Sequence, residues 1–315
     1  GEVAEVTGGC FCCRFDDLAS VVTRLTEEVR PTVVIAEAVG SCTDLQSTVI
    51  RPLRHFYGEN LRVAPLTVLV DPIRYAGMSR LWRHPEGEPD LAYLFRHQLV
   101  EADIIAVNKS DLIGAAEAAR LRADIQERFP HAHVVSYSAA TGDGLEELLA
   151  LWTGSTGPRQ EHTPFAVDYE RYGAAEAELA WANQTWRVQA GDAAGTARTF
   201  APAEWVQEFL GAFSAATARR DLVIGHVKIR VTSPDGATKA SLTQAGGTPS
   251  YDEQHWVGTR TAHVVLNARV QAGPEQLEEL IAESVAAADA AAGATSTERQ
   301  GDVFRPSFPV PVHRM

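Results

Sequence analysis

Through its first half the chain alternates short apolar, β-branched runs with amphipathic stretches, and this alternation restricts the fold more than any other feature. TVVIA (32–36), TVLV (67–70), ADIIAVN (102–108) and AHVVSYS (132–138) have strand length and little polar interruption. FDDLASVVTRLTEEVR (15–30) places Leu18, Val21, Val22, Leu25 and Val29 on one helical face. CTDLQSTVIRPLRHFYG (42–58) reads as the next helix, with Pro52 inside it as a point of kinking or splitting. DLAYLFRHQLVEA (90–102), GAAEAARLRADIQERFP (114–130) and GLEELLALW (144–152) complete the helical set. Continuously apolar strands need cover on both faces, so the pattern predicts a parallel sheet between helices, an α/β fold.

From Gly154 the pattern changes. GSTGPRQEHTP is rich in Gly, Ser, Thr and Pro and reads as a linker over 154–165. This divides the chain into an α/β domain over 1–153 and a smaller α+β domain over 166–315. In the latter, strands at 178–189, 222–233, 237–244 and 261–271 are interleaved with helices at 201–220 and 274–292, loosely like a ferredoxin-type split unit. The tail FRPSFPVPVHRM is Pro-rich and expected to be extended. Trp186 and Trp256 are either core aromatics or exposed rings for a client protein.

Composition narrows the partners. A formal net charge of −13 over 315 residues argues against a nucleic-acid binder. No stretch has the length and apolarity of a membrane span, and no signal-peptide pattern is present. Four cysteines are too few for a disulfide scaffold of this size. They read as thiols in a reducing compartment, which predicts a cytoplasmic location.

Three of the four cysteines fall in CFCC, as Cys10, Cys12 and Cys13. Thiolates at this spacing can converge on one soft or borderline ion, Zn²⁺, Co²⁺ or Cu⁺, with Gly8 and Gly9 giving the backbone freedom to wrap it. Buried free thiols are the competing explanation. Three sulfurs leave a tetrahedral ion one open position, which suits loading and release. Cys42 is either another thiol near the site or simply a helix-start cysteine.

Three further motifs follow strands. NKSD (108–111) comes directly after IIAV; Asp111 matches the N1–H and N2–H donors of guanine, while Asn108 and the Lys109 stem complete a pocket. SYSAATGDG (136–144) follows the next strand, where the Ser138–Ala139 pair can offer a backbone N–H to guanine O6. EAVG (37–40) follows TVVIA; Glu37 can serve Mg²⁺ and Gly40 can bring its N–H to a γ-phosphate, or the acid can serve as a turn or capping group. The phosphate cradle GxxxxGK[ST] does not occur; the nearest approach, DGATKAS (235–241), has Thr238 where a Gly is required.

GGCFCC, EAVGSCTDL and VNKSDL, in this order, resemble the CobW-like branch of the CobW/HypB/UreG metal-chaperone GTPases. The resemblance is specific over 1–152 and weaker beyond. It implies a P-loop-NTPase-like sheet lacking its first strand and P-loop, which would lie upstream of Gly1 in an amino-terminally incomplete chain. Cys10, Cys12 and Cys13 would be metal ligands, Glu37 and Gly40 would sense Mg²⁺ and the γ-phosphate, and Asn108, Lys109, Asp111, Ser138 and Ala139 would bind guanine. The function implied is transfer of Zn²⁺ or Co²⁺ to a client metalloprotein or a cobalamin-related pathway, coupled to GTP hydrolysis in the complete protein. This P-loop-less sequence would itself be inactive as a GTPase. The alternative is a metal- or client-binding module without catalysis. Neither the client nor the oligomeric state can be read from the sequence.

Overall fold

The computed structural model describes residues 2–6, 10–59, 61–154, 166–191 and 199–315. They form two compact units: 1–175 together with Phe308–Met315, and Glu176–Ser307. Most of the anticipated linker, 155–165, and the glycines Gly8 and Gly9 lie outside the described residues.

In the first unit, β1 (Thr67–Val70), β2 (Ile104–Val107) and β3 (His133–Ser136) form a parallel sheet in that order. β2 is central and buried along its whole length, as its unbroken IIAV composition requires. Helices α3 (Pro72–Leu81) and α4 (Asp90–Glu101) connect β1 to β2, α5 (Ala115–Arg128) connects β2 to β3, and α6 (Leu145–Thr153) follows β3. Two cores flank the sheet. One gathers Val70, Tyr75, Leu99, Ile105, Val107, Ile125 and Phe129; the other gathers Ile104, Ala106, Val135, Tyr137 and Leu148. Alternate residues of β2 feed opposite cores, which follows from the two-residue period of a strand. Pairing puts Val70 beside Val107 and Val107 beside Ser136, so all three strands end at one edge.

Two expectations fail in this unit. TVVIA (32–36) is not a strand, and Ile35 is 80% exposed. A buried parallel strand depends on ladder partners and cover on both faces, and among the described residues this run has neither. The helix expected over 42–58 begins later and in another form. A π-turn, Gln46–Ile50, leads into α2 (Arg51–Tyr57), with Pro52 in the first turn of the α-helix, where its missing N–H costs little. The first helix, α1 (Phe15–Glu28), lies as expected and buries Phe15, Leu18, Ala19 and Val22. Helix α7 (Tyr169–Glu178) closes the continuous part of the unit.

The second unit runs β4 (Leu179–Ala190), α8 (Pro202–Arg219), β5 (Ile224–Ser233), β6 (Gly236–Leu242), β7 (Ser250–Glu253), β8 (Thr261–Gln271), α9 (Pro274–Ala292) and β9 (Ala294–Phe304). Its antiparallel sheet has the order β7-β6-β5-β8-β4-β9. Without the β6–β7 extension, this is a βαββαβ unit in ferredoxin order. Pro202 and Pro274 open the two helices at positions where no N–H is needed, and Gly293, left-handed at φ 59°, ends α9. Both helices contribute to one core with the sheet, which includes Trp186, Trp205, Phe209 and Phe213. Trp186 is therefore a core residue, only 1% exposed, whereas Trp256 is exposed.

Candidate metal centre and nucleotide edge

Residues Cys10–Arg14 form a tight turn immediately before α1. The N–H groups of Cys13 and Arg14 both donate to the Cys10 carbonyl, at 3.1 and 2.9 Å. The turn brings three thiols together: Cys10 Sγ lies 2.9 Å from Cys12 Sγ and 3.4 Å from Cys13 Sγ, and Cys12 Sγ lies 3.8 Å from Cys13 Sγ. A tetrahedral ion with Zn–S bonds near 2.3 Å requires sulfurs about 3.8 Å apart. The donor set therefore fits such an ion once the Cys10 and Cys12 sulfurs move apart by about 0.9 Å and Cys10 and Cys13 by about 0.4 Å. Cys12 is buried against Leu18, Val22 and Val49, while Cys10 and Cys13 are half-buried beside them.

The fourth thiol lies beside them. Cys42 is buried next to Cys10 and Cys12, although it is not one of the three cysteines whose sulfurs all lie within 4.8 Å of one another. Its position is fixed by its own backbone: the N–H donates to Val39 O at 2.8 Å, and the carbonyl accepts from Gln98 Nε2 at 2.9 Å. The next residues are held from below by a buried carboxylate. Glu101 accepts from Thr43 Oγ1 and from the Gln46 N–H, both at 3.0 Å. Gln46 Nε2 also reaches Asp103 at 3.1 Å. Sequence reading left Cys42 between two roles; its signal was the bare cysteine count, and its convergence with CFCC depends on this long-range scaffold.

The electrostatics of the cluster push Cys10 toward its thiolate and the other thiols toward their protonated forms. Hydrogen bonds from the Cys12 and Cys42 thiols hold Cys10 far below the ordinary thiol range. The same contact with Cys10 pushes Cys12 up and, together with Cys12, pushes Cys42 up. Cys13 is raised first by burial. A cation that binds these sulfurs as thiolates must displace the protons of the raised thiols.

The segment Phe308–Met315 passes over this turn. The Val310 N–H donates to Cys13 Sγ at 3.3 Å and the Val312 N–H to the Cys12 carbonyl at 2.9 Å. Arg314 Nε donates to Asp44 Oδ2 at 2.8 Å, an oxygen that also accepts from Tyr169 Oη at 2.7 Å.

The second cluster lies at the edge where the parallel strands end. Asn108 and Lys109 follow β2, and Lys109 adopts the left-handed conformation at φ 60°. Asn108 Oδ1 accepts from the Lys109 N–H at 2.8 Å and from the Ala139 N–H at 2.9 Å. One side chain thereby fixes the loops after β2 and β3 together. Ser138 is buried, its N–H donating to Asp143 O at 2.8 Å and its hydroxyl accepting from the Thr141 N–H at 3.1 Å. Asp111 is exposed at the start of a short 3₁₀ turn, Ser110–Leu112. Asp71, at the end of β1, was missed by sequence reading. Its carboxylate caps α3 through the Ile73 and Arg74 N–H groups and pairs with Lys109 Nζ at 2.9 Å. Burial pushes Asp71 up, but Lys109 and these N–H groups outweigh it and hold the carboxyl below its usual range.

Glu37 and Gly40 lie on the segment between α1 and the π-turn rather than in either cluster. Both are exposed, and the Gly40 carbonyl accepts from Gln98 Nε2 at 3.0 Å. The segment they belong to leads directly into Cys42.

Comparison with known proteins adds the following. Residues 1–136 match the profile described as CobW/HypB/UreG, nucleotide-binding domain. A zinc chaperone CobW of Pseudomonas aeruginosa is 31% identical over 179 residues, 48% of this chain and 44% of that protein. A zinc chaperone CobW of a Sinorhizobium species is 28% identical over 140 residues, 40% of each. The alignments thus span less than half the length of the curated relatives. The Zn(II)-bound YjiA GTPase of E. coli aligns over 76% of this chain and 66% of its own, at 15% identity and a TM-score of 0.23.

Proposed function

Residues 1–136 match the CobW/HypB/UreG nucleotide-binding domain family model, and from that premise we propose that the chain works in a GTP-dependent metal carrier. Its cargo is a thiophilic divalent ion, Zn²⁺ or Co²⁺, delivered to a client metalloprotein. The observation that carries this proposal is the meeting of the Cys10, Cys12 and Cys13 thiols within 4.8 Å of one another, with the buried Cys42 beside them. Cys10, Cys12 and Cys13 would hold the ion. Softness of the donors favours Zn²⁺, Co²⁺ or Cu⁺ over Mg²⁺ or Ca²⁺.

Guanine would lie at the ends of β2 and β3. The exposed Asp111 carboxylate is free to face the two donors of the base, and Asn108 holds the loop carrying Ser138 and Ala139 in register with it. The Lys109 stem would cover one face of the ring while its ammonium stays with Asp71. Glu37 and Gly40 would report on Mg²⁺ and the γ-phosphate once residues outside this sequence supply the phosphate cradle. The link to the metal is short: Gly40 lies two residues before Cys42, and Gln98 binds the carbonyls of both. A change in the nucleotide-sensing segment therefore moves a sulfur of the metal site.

Cobalt titration tests the metal reading. Tetrahedral thiolate ligation gives Co²⁺ a sulfur-to-metal charge-transfer band, which the chain should develop with one equivalent and lose when Cys10→Ser, Cys12→Ser and Cys13→Ser are combined. A silent titration of the unaltered chain would end this proposal. The absence of GxxxxGK[ST] favours a second reading, a metal- or client-binding module without hydrolysis. GTP turnover measured on the chain joined to a P-loop segment separates the two.

A further inference from the structure

The thiol turn is covered by a segment from the far end of the sequence, and the way that segment is fastened suggests a purpose. Pro309 and Pro311 have no N–H, so within PVPV only Val310 and Val312 can donate. Both do, and both donate to the cysteine turn: Val310 to Cys13 Sγ and Val312 to Cys12 O. The Val310 and Val312 side chains are exposed, so apolar burial does not hold these two residues down, whereas Pro309 beside them is buried. The fastenings lie at the two ends. The Phe308 ring lies directly on Gly173 of α7, where a Cβ would come within 2.4 Å of it. At the other end the His313 ring packs edge-on to Phe15 at 4.9 Å between centroids. Arg314 pairs with Asp44, the Met315 N–H donates to Ser47 O at 3.0 Å, and Arg51 Nη1 donates to Met315 O at 2.9 Å.

We propose that Phe308–Met315 is a strap over the metal site that sets how fast the cargo ion enters and leaves. This rests on the reading of Cys10, Cys12 and Cys13 as the ion's ligands. Docked, the strap supplies an N–H to the Cys13 sulfur and holds it toward its partners. It also stands between the turn and solvent. Lifted, it removes that donor and uncovers two half-buried sulfurs. Val310 and Val312 are held by two hydrogen bonds, between Phe308 and the buried Pro309 on one side and the contacts to Asp44, Ser47 and Arg51 on the other. The segment can therefore bow away from the cysteines without leaving the unit.

Two substitutions isolate the strap without altering a thiol. Val310→Pro deletes the single N–H facing Cys13 in a stretch already flanked by prolines. Arg314→Ala releases the far anchor. Each chain is loaded with Zn²⁺, and the rate of transfer to a colorimetric chelator is followed. Loss of one hydrogen bond should speed release roughly three- to tenfold in Val310→Pro, with Arg314→Ala also faster and one ion still bound in both. Iodoacetamide labelling of the ion-free chains, read by peptide mass spectrometry, should show Cys13 modified faster in both variants. Wild-type release and wild-type Cys13 labelling in both variants would overturn the strap. If the unaltered chain takes up no Zn²⁺, the ligand assignment fails and takes this inference with it. Faster Cys13 labelling would then show only that the segment shields the turn.

Discussion

At the scale of single residues, charge is concentrated where it can be moved. Cys12, Cys13 and Cys42 are all raised above the ordinary thiol range, so an ion that binds them as thiolates must expel their protons. Apparent Zn²⁺ affinity should therefore climb with pH through the neutral range, measurable by competition with a chelator of known pH dependence. Cys42→Ser should lower that affinity by at least about tenfold and weaken the Co²⁺ charge-transfer band, while leaving the thermal stability of the ion-free chain close to wild type. Beneath the site, burial lifts the Glu101 carboxyl to about 8. The folded chain then binds a proton that the unfolded chain has lost above its usual carboxylate range. This contribution is complete at acid pH and disappears as pH rises through 8. Glu101→Gln keeps an acceptor for the Gln46 N–H, and Thr43 can reverse its hydroxyl. The variant should show a flatter dependence of melting temperature on pH between 5 and 9, the range spanning the two states of this carboxyl.

Elements were legible where local pattern and tertiary need coincide. IIAV is buried on both faces and reads as a strand from composition alone; β1 and β3 follow it, and the loops after β2 and β3 bring NKSD and SYSAATG to one edge. The β4, β5 and β8 alternations were equally plain, because a sheet with helices on one face writes a two-residue period. Helices α3 and α7 were not legible. Helix α3 has no amphipathic stripe, and its start depends on the Asp71 carboxylate capping Ile73 and Arg74, a contact set by the end of β1. TVVIA shows the opposite error: a good strand sequence without a ladder remains irregular. The closeness of the CFCC thiols follows from their spacing, but the approach of Cys42 and Val310 does not, because each comes from a distant segment. The sheet edge that carries NKSD depends on Asn108 Oδ1 as a bridge between two loops. Asn108→Ala should leave the Ala139 N–H without its partner and cost about 1 kcal/mol or more. Hydrogen exchange should show faster exchange at Ala139, with the β5–β8 ladder of the second unit unchanged.

At the scale of the whole molecule, the ion should act on one unit only. Zn²⁺ at a hundredfold excess over its dissociation constant stabilises the state that binds it by about 2.7 kcal/mol. Amides of the cysteine turn, of α1, and of Val310 and Val312 should gain exchange protection on loading, whereas those of the β4–β8 ladder should not. No helix among the described residues is long and apolar enough to cross a membrane. The return of Phe308–Met315 to the first unit also has a meaning in time. The hydrogen bond from Val310 to Cys13 joins residues 297 positions apart. During synthesis the cysteine turn leaves the ribosome well before its cover. At common translation rates the interval is roughly 15 to 60 s. For that period a nascent chain presents open thiols to whatever ion or oxidant it meets, and it can close over its choice only after residues 308–315 emerge.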